Sequence, residues 1–248
     1  MMNFSVLTIF PAMFDAFVKE SITGRAVNDG IVKINLVDIR DYTKDRHKRV
    51  DDRPYGGGAG MVMKPEPLSF AVESVKKKDS RVIALTPQGK TFSQRKAASL
   101  SMEKDIILVC GRYEGIDERF YDFYVDEEIS IGDYILTGGE IPAMVLMDCV
   151  IRLLPGVLGC SESPEDESFS QGRIEYPHYT RPYEFKGVSV PDILLSGNHG
   201  AVSMWRKTAS LIRTLNKRPD LFFSYPETED EKKILSGLLR RLEDFDRK

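Results

Sequence analysis

Apolar and polar positions alternate along the chain in a way that predicts a β/α succession. Asn3 to Phe10 reads as a strand, and Pro11 then opens a short helix through Met13, Phe14 and Phe17, because a first helical turn tolerates proline. Ile31 to Val37 alternates apolar and polar residues, as a strand with one covered face does. Pro65 to Lys78 is predicted helical, with Leu68, Val72 and Val75 as its buried stripe, and Arg81 to Leu85 is the next strand. Ser93 can cap the helix that leads back to Ile106–Cys110, an unbroken apolar run of five that suits a strand buried on both faces. Glu140 to Leu154 is an amphipathic helix with Met144, Met147, Val150 and Ile151 towards the core, stopped by Leu154-Pro155-Gly156. Strands and helices in this order predict an α/β fold with a mostly parallel sheet.

Such sheets bind ligands in loops at the carboxyl ends of their strands. Three loops of this kind stand out. Thr86-Pro87-Gln88-Gly89 follows the Arg81 strand, and Gly111-Arg112-Tyr113-Glu114-Gly115 follows the Ile106 strand. The third is Ser130-Ile131-Gly132-Asp133-Tyr134-Ile135-Leu136-Thr137-Gly138-Gly139-Glu140, read as an apolar strand running into a glycine-broken loop. Any one of these glycines is explained by a turn. Two such loops within about thirty residues, each with a tyrosine and a carboxylate, point to a site.

At 248 residues the chain fits one large domain or two modest ones, with enough core to need no covalent staples. Cys110, Cys149 and Cys160 lack CxxC spacing, and the first two lie in apolar runs, so reduced core thiols in a cytosolic protein are expected. His47, His178 and His199 have no ligand-spaced companions, which argues against a structural zinc site, and no metal-ligand motif is visible. The amino terminus has no basic n-region or cleavage site, and the most apolar segment, Ile141 to Gly159, is broken by Asp148 and Arg152, so neither a secretory signal nor a membrane span is predicted.

The net charge of -3 carries no global nucleic-acid signal, so RNA binding would need local patches. One candidate is the loop from Arg40 to Arg53, with six basic residues against four acids, which runs into Gly56-Gly57-Gly58-Ala59-Gly60. It reads as a solvated loop or as a mobile lid whose N–H groups approach a phosphate or base; it fits neither a Walker loop nor GxGxxG. Cys160 to Gly172 is acidic, with Glu162, Glu165, Asp166 and Glu167, and is predicted to be the domain linker. Beyond Val190 the chain reads as helical. Ala201 to Arg218 carries Arg206, Lys207, Arg213, Lys217 and Arg218 with no acid, opposite an apolar row of Val202, Trp205, Ala209, Ile212 and Leu215. That is the footprint of a helix laid on an RNA backbone, or of a surface helix balanced by the later acids Glu227 to Glu231; Trp205 is read as core.

The strand-end loops, together with Asp51-Asp52-Arg53-Pro54-Tyr55-Gly56-Gly57-Gly58-Ala59-Gly60-Met61, Leu154-Pro155-Gly156-Val157-Leu158-Gly159 and Pro177-His178-Tyr179-Thr180-Arg181-Pro182, closely resemble the bacterial tRNA (guanine-N1)-methyltransferase family, TrmD, of the SPOUT class. The resemblance covers nearly the whole chain. It implies a SPOUT domain over 1–159 with a deep trefoil knot, a linker over 160–172 carrying the catalytic carboxylate, and a small all-helical tRNA-binding domain over 173–248. Alternation alone predicts an unknotted sheet. The implied methyl donor is S-adenosylmethionine, held by Leu85, Thr86, Pro87, Gln88, Gly111, Tyr113, Glu114, Gly115, Ser130, Ile131, Gly132, Asp133, Tyr134, Ile135, Leu136, Gly138 and Gly139. Asp52, Tyr55, Gly57 and Gly58 are implied to close over guanine, and Arg206 to contact tRNA.

By the same resemblance Arg152 steadies charge on guanine O6, magnesium is needed for transfer with Glu114 as a contact, and the protein is a cytoplasmic homodimer whose sites draw on both subunits. The family's catalytic aspartate directly precedes a Ser-Phe pair; here Glu167 stands before Ser168-Phe169, with Asp166 in reserve. That departure leaves a second reading, a catalytically inactive SPOUT-fold RNA-binding protein. A ribose or ribosomal RNA methyltransferase is disfavoured, since ribose needs no N1 base and the carboxy-terminal part matches this family.

Overall fold

The computed structural model describes residues 1–158, 168–169 and 172–246. The predicted linker, with Asp166 and Glu167, lies almost entirely outside the described residues. The chain divides into two compact units, Met1–Ser161 and Glu162–Lys248.

In the first unit β1 (Met2–Thr8) leads through a 3-10 turn at Pro11–Phe14 into α1 (Asp15–Lys19) and α2 (Ser21–Asn28), then β2 (Val32–Asp38). A short ribbon follows, β3 (Asp51–Asp52) antiparallel to β4 (Val62–Met63), and then α3 (Pro65–Val75). The chain continues through β5 (Arg81–Thr91), α4 (Gln94–Leu100), β6 (Asp105–Cys110), α5 (Glu118–Tyr124), β7 (Glu127–Ser130) and α6 (Glu140–Ile151). Five strands form one parallel sheet in the order β2-β1-β6-β5-β7.

Every residue of β6 is buried, as its unbroken apolar run requires of a central strand with helices on both faces. The two faces hold separate cores. Phe4, Ile106, Leu108, Leu146 and Val150 pack on one side, and Leu7, Leu68, Val72, Ile107 and Phe120 on the other. Ser93 caps α4, its side-chain oxygen accepting from the Lys96 N–H at 3.3 Å.

Two elements depart from the pattern read along the sequence. β5 does not end at Leu85: it resumes at Lys90, and Ile129 of β7 is paired with both Leu85 and Lys90. Residues 86–89 therefore bulge out of a strand and are held at both ends by the sheet. The strand before the third loop is β7, which starts at Glu127 and carries glutamates on its half-covered positions, so apolar content alone places it too late.

The second unit is mostly helical among its described residues. It is not all-helical, since β8 (Glu184–Phe185) and β9 (Val188–Ser189) make a short antiparallel hairpin. α7 (His199–Lys217), α8 (Pro219–Ser224) and α9 (Glu229–Asp246) follow. Asn198 caps α7 by accepting from the Ala201 N–H at 3.1 Å. A core of Leu211, Phe222 and Ile234 holds the helices together, beside a buried ion pair in which Arg173 Nε lies 2.8 Å from Glu231 Oε1. The core face of α7 is thus Leu211 and Thr214, while Ile212 and Leu215 of the expected apolar row are each 39% exposed. No helix among the described residues is long and apolar enough to cross a membrane.

Candidate active site

The three strand-end loops of the first unit converge on one cavity of about 460 Å³, within the range of about 300 to 1,000 Å³ usual for small-molecule sites. Leu85 to Gln88 line it from the β5 bulge, Gly111 to Gly115 from the end of β6, and Ser130 to Gly139 from the end of β7, closed by Pro142 of α6. Asp133 alone among the expected donor residues is not on the wall. The sequence reading missed Arg112, Ile116, Glu118, Tyr121, Ile129, Thr137 and Pro142, all of which line it. Arg112 and Thr137 lay inside the loops already singled out.

Close backbone packing builds this wall. Gly139 donates its N–H to the Gly111 carbonyl at 2.9 Å, and a Cβ at Gly139 would sit 2.7 Å from Cys110 Cα, so only glycine lets the second and third loops touch. Tyr113 is held at φ 61°, a conformation that non-glycine residues rarely adopt and that functional loops often store.

A buried ionic network fastens the same two loops. Glu140, at the first turn of α6, is fully buried; its Oε1 accepts from Thr8 Oγ1 at 2.7 Å and its Oε2 from Arg112 Nε at 2.9 Å. Arg112 also donates to the Thr137 carbonyl at 3.1 Å, and its guanidinium lies 4.6 Å from the centre of the Phe10 ring. One arginine thus spans two cavity loops while one carboxylate anchors it to β1. Burial pushes the Cys110 thiol well above its ordinary range, with Glu140 adding to the effect and Arg112 opposing it, so this cysteine stays a neutral core residue. Tyr121, on the cavity wall, is raised to about 12 by burial and then by Glu128.

Asp52, Tyr55, Gly57 and Gly58 of the glycine-rich loop are not on the cavity wall. Asp52 closes β3, with its Oδ1 accepting from the Arg53 N–H at 2.8 Å, and Tyr55 is wholly exposed. Gly57 and Gly58 have φ of 76° and 125°, which side-chain-bearing residues avoid. The return strand ties this loop to the cavity: the Met61 carbonyl accepts from the Glu114 N–H at 3.0 Å, and the Met63 N–H donates to the Gly115 carbonyl at 2.9 Å.

Arg152 is half-buried at the carboxyl end of α6, whose amino end forms the cavity wall. Twelve helical residues at 1.5 Å each separate these ends by about 18 Å. The structure therefore does not bring Arg152 to the cavity of its own first unit. Arg206 belongs to the second unit, its guanidinium 4.8 Å from the centre of the Tyr176 ring. Of the basic residues on and beside α7, Lys207 pairs with Asp230 and Arg218 with Asp220, whereas Arg206, Arg213 and Lys217 make no ion pair among the described residues. These three fall on one face of α7 at helical spacing.

Among the described residues no group of three or more histidine, cysteine or acidic side chains is arranged to hold a metal ion. Glu114 and Glu118 are the carboxylates on the cavity wall. Ile135 and Leu136 line the cavity, and their backbone N–H groups make no hydrogen bond to another backbone group among the described residues.

A family model described as tRNA (Guanine-1)-methyltransferase TrmD matches residues 2–224. A Clostridium botulinum protein (strain Hall) named tRNA (guanine-N(1)-)-methyltransferase is 54% identical over 242 residues, covering 97% of this chain and 100% of its own. Proteins of the same name from Staphylococcus carnosus and Geobacillus kaustophilus are 50% and 53% identical, covering 97% and 94% of this chain and 99% and 97% of theirs. With a match along nearly its full length, the chain belongs to the tRNA (guanine-1)-methyltransferase TrmD family.

Proposed function

We propose that the protein transfers a methyl group from S-adenosylmethionine to N1 of the guanosine immediately 3′ of the anticodon in tRNA. The observation that carries this reading is the three-loop cavity, in a chain that belongs to this family. The donor fits the cavity's chemistry. The apolar walls of Leu85, Ile131 and Pro142 suit the face of a purine, the backbone at Ile135 and Leu136, without a backbone hydrogen-bond partner among the described residues, suits its polar edge, and Glu114 and Glu118 offer negative charge to a cationic amino acid end. S-adenosylmethionine supplies a methyl group on a sulfonium, which is already a good leaving group. The protein's task is then to align the acceptor with it.

The acceptor is the harder partner. Guanine N1 carries a proton at neutral pH, so a base must remove it, and the charge that develops on O6 needs a cation. Glu167 is assigned as base, with Asp166 as the alternative carboxylate, and Arg152 as the cation on O6. Asp52, Tyr55, Gly57 and Gly58 form the lid over the guanine, whose hydrogen-bonded return strand couples lid and donor loop. Arg206, with Arg213 and Lys217, faces the tRNA backbone. Magnesium commonly takes one or two protein carboxylates, and Glu114 is the residue that would hold it.

The chain is proposed to work in the cytoplasm as a homodimer, with residues 1–159 threaded as a SPOUT trefoil knot, residues 160–172 as the linker carrying the base and residues 173–248 as the tRNA-binding domain. The length of α6 supports the dimer: an arginine about 18 Å from the donor wall along its own helix serves O6 at a cavity supplied by another subunit.

The test is incubation with labelled S-adenosylmethionine, magnesium and unmodified tRNA transcripts bearing guanosine or adenosine just after the anticodon. Label on the guanosine transcript alone is expected. Tight binding of donor and tRNA with no label on either transcript would replace this reading with that of an inactive RNA-binding protein.

A further inference from the structure

The second unit contains a cavity that the reaction described above does not use. Its volume is about 470 Å³, and it lies between the Tyr176–Tyr183 segment and the first turns of α7. Its lining is unusually aromatic: Tyr176, His178, Tyr179, Tyr183 and Trp205 all face it. Trp205 is half-buried where the sequence pattern predicts core, and its ring lies 6.3 Å from that of Tyr179, tilted by 53°. Tyr179 and Tyr183 are 46% and 50% exposed.

Two arginines line the same cavity. Arg206 lies over the Tyr176 ring, and Arg181 is exposed. Along α7, Arg206 begins a row of cations with no ion pair among the described residues, which continues to Arg213 and Lys217. Exposed aromatic faces beside a basic track form the arrangement that binds unstacked nucleobases, the rings stacking on the base while the arginines neutralise its flanking phosphates. An apolar peptide would leave the arginines without partners, and a free anion would leave the aromatic faces without a use.

We propose that this cavity takes one unstacked nucleobase of the bound tRNA, distinct from the base that is methylated, stacked on Trp205 beside Tyr179. The inference rests on tRNA being the substrate. It adds a second base-binding site, so that recognition depends on a splayed base as well as on the phosphate backbone.

Trp205 is the only tryptophan in the chain, so its emission reports this cavity alone. Full-length protein is titrated with unmodified tRNA, with binding followed separately by the anisotropy of end-labelled tRNA. Saturation is expected to quench the Trp205 emission and to shield the remainder from acrylamide. Trp205→Leu should weaken tRNA binding by roughly 5- to 150-fold, the range usual for losing one stacked base, while Trp205→Phe, which keeps an aromatic face, should recover most of it. Circular dichroism of both variants controls for folding, and the emission readout needs no variant. If tRNA binds and is methylated while emission and acrylamide access stay unchanged, the cavity proposal is overturned and the methyltransferase reading stands. If tRNA does not bind at all, both are overturned.

Discussion

Glu140 and Arg112 fasten two loops of the cavity to one another and to β1. A carboxylate with no exposure, held by Thr8 and Arg112, leaves an uncompensated buried cation if it is neutralised. Glu140→Gln is expected to cost about 3 to 5 kcal/mol of unfolding free energy in denaturant titrations and to weaken donor binding, because Arg112 would no longer hold the Thr137 loop against the Gly111 loop. An unchanged midpoint would mean that the pair adds nothing to the cradle. For the proposed base, Glu167→Gln should abolish turnover while donor affinity stays close to that of the parent, and retained turnover would move the base to Asp166. The sequence points to only one of these two carboxylates, and only through the family resemblance. By that resemblance Glu167 takes the place, before Ser168-Phe169, of the family's aspartate. Glu140 is read along the sequence only as a helix start, because a partner 28 residues away leaves no local trace.

Among the elements, the parallel sheet was legible because β1, β2 and β6 declare their burial through runs and alternation. What stayed hidden depends on pairing between distant strands. Nothing in Thr86-Pro87-Gln88-Gly89 says that Lys90 and Thr91 return to the same neighbour, yet that return turns a free loop into a bulge braced at both ends. α7 was read with its faces out of place for a similar reason. Apolar spacing put Ile212 and Leu215 inwards, whereas the packing of α8 and α9 selects Leu211 and Thr214. In the second unit, Glu231 is held below the ordinary carboxylate range: its burial acts to raise it, and hydrogen bonds from Arg173 and Thr228 outweigh that. A depressed folded value stabilises the unit above the unfolded value near 4.5, and this contribution is lost as pH falls through the folded value. The melting temperature of this unit should therefore drop below about pH 4.5, and Glu231→Gln, less stable by about 3 kcal/mol at neutral pH, should show a flatter acid limb. Parallel acid limbs in the two proteins would show that this ion pair does not set the pH dependence.

For the whole molecule, the proposal joins a donor cavity in one unit to an arginine at the far end of α6 and to a base on the predicted linker. This was legible only through the family resemblance, since neither α6 read as a helix nor an acidic linker read as a spacer announces a partner chain. Sedimentation equilibrium should give twice the chain mass of 28.1 kDa across the concentrations at which the enzyme turns over, and a fully active monomer would exclude sites shared between subunits. The family places this chain among the tRNA (guanine-1)-methyltransferases, and the base and cation assigned to it have a purpose only if the acceptor is a protonated ring nitrogen. The direct measurement is therefore the identity of the product atom: methylate the guanosine transcript, digest it to nucleosides and compare the methylated guanosine with authentic standards by chromatography and mass spectrometry. The expected product is 1-methylguanosine at the position just 3′ of the anticodon, and a 2-methyl, 7-methyl or ribose-methylated product would contradict the proposed reaction.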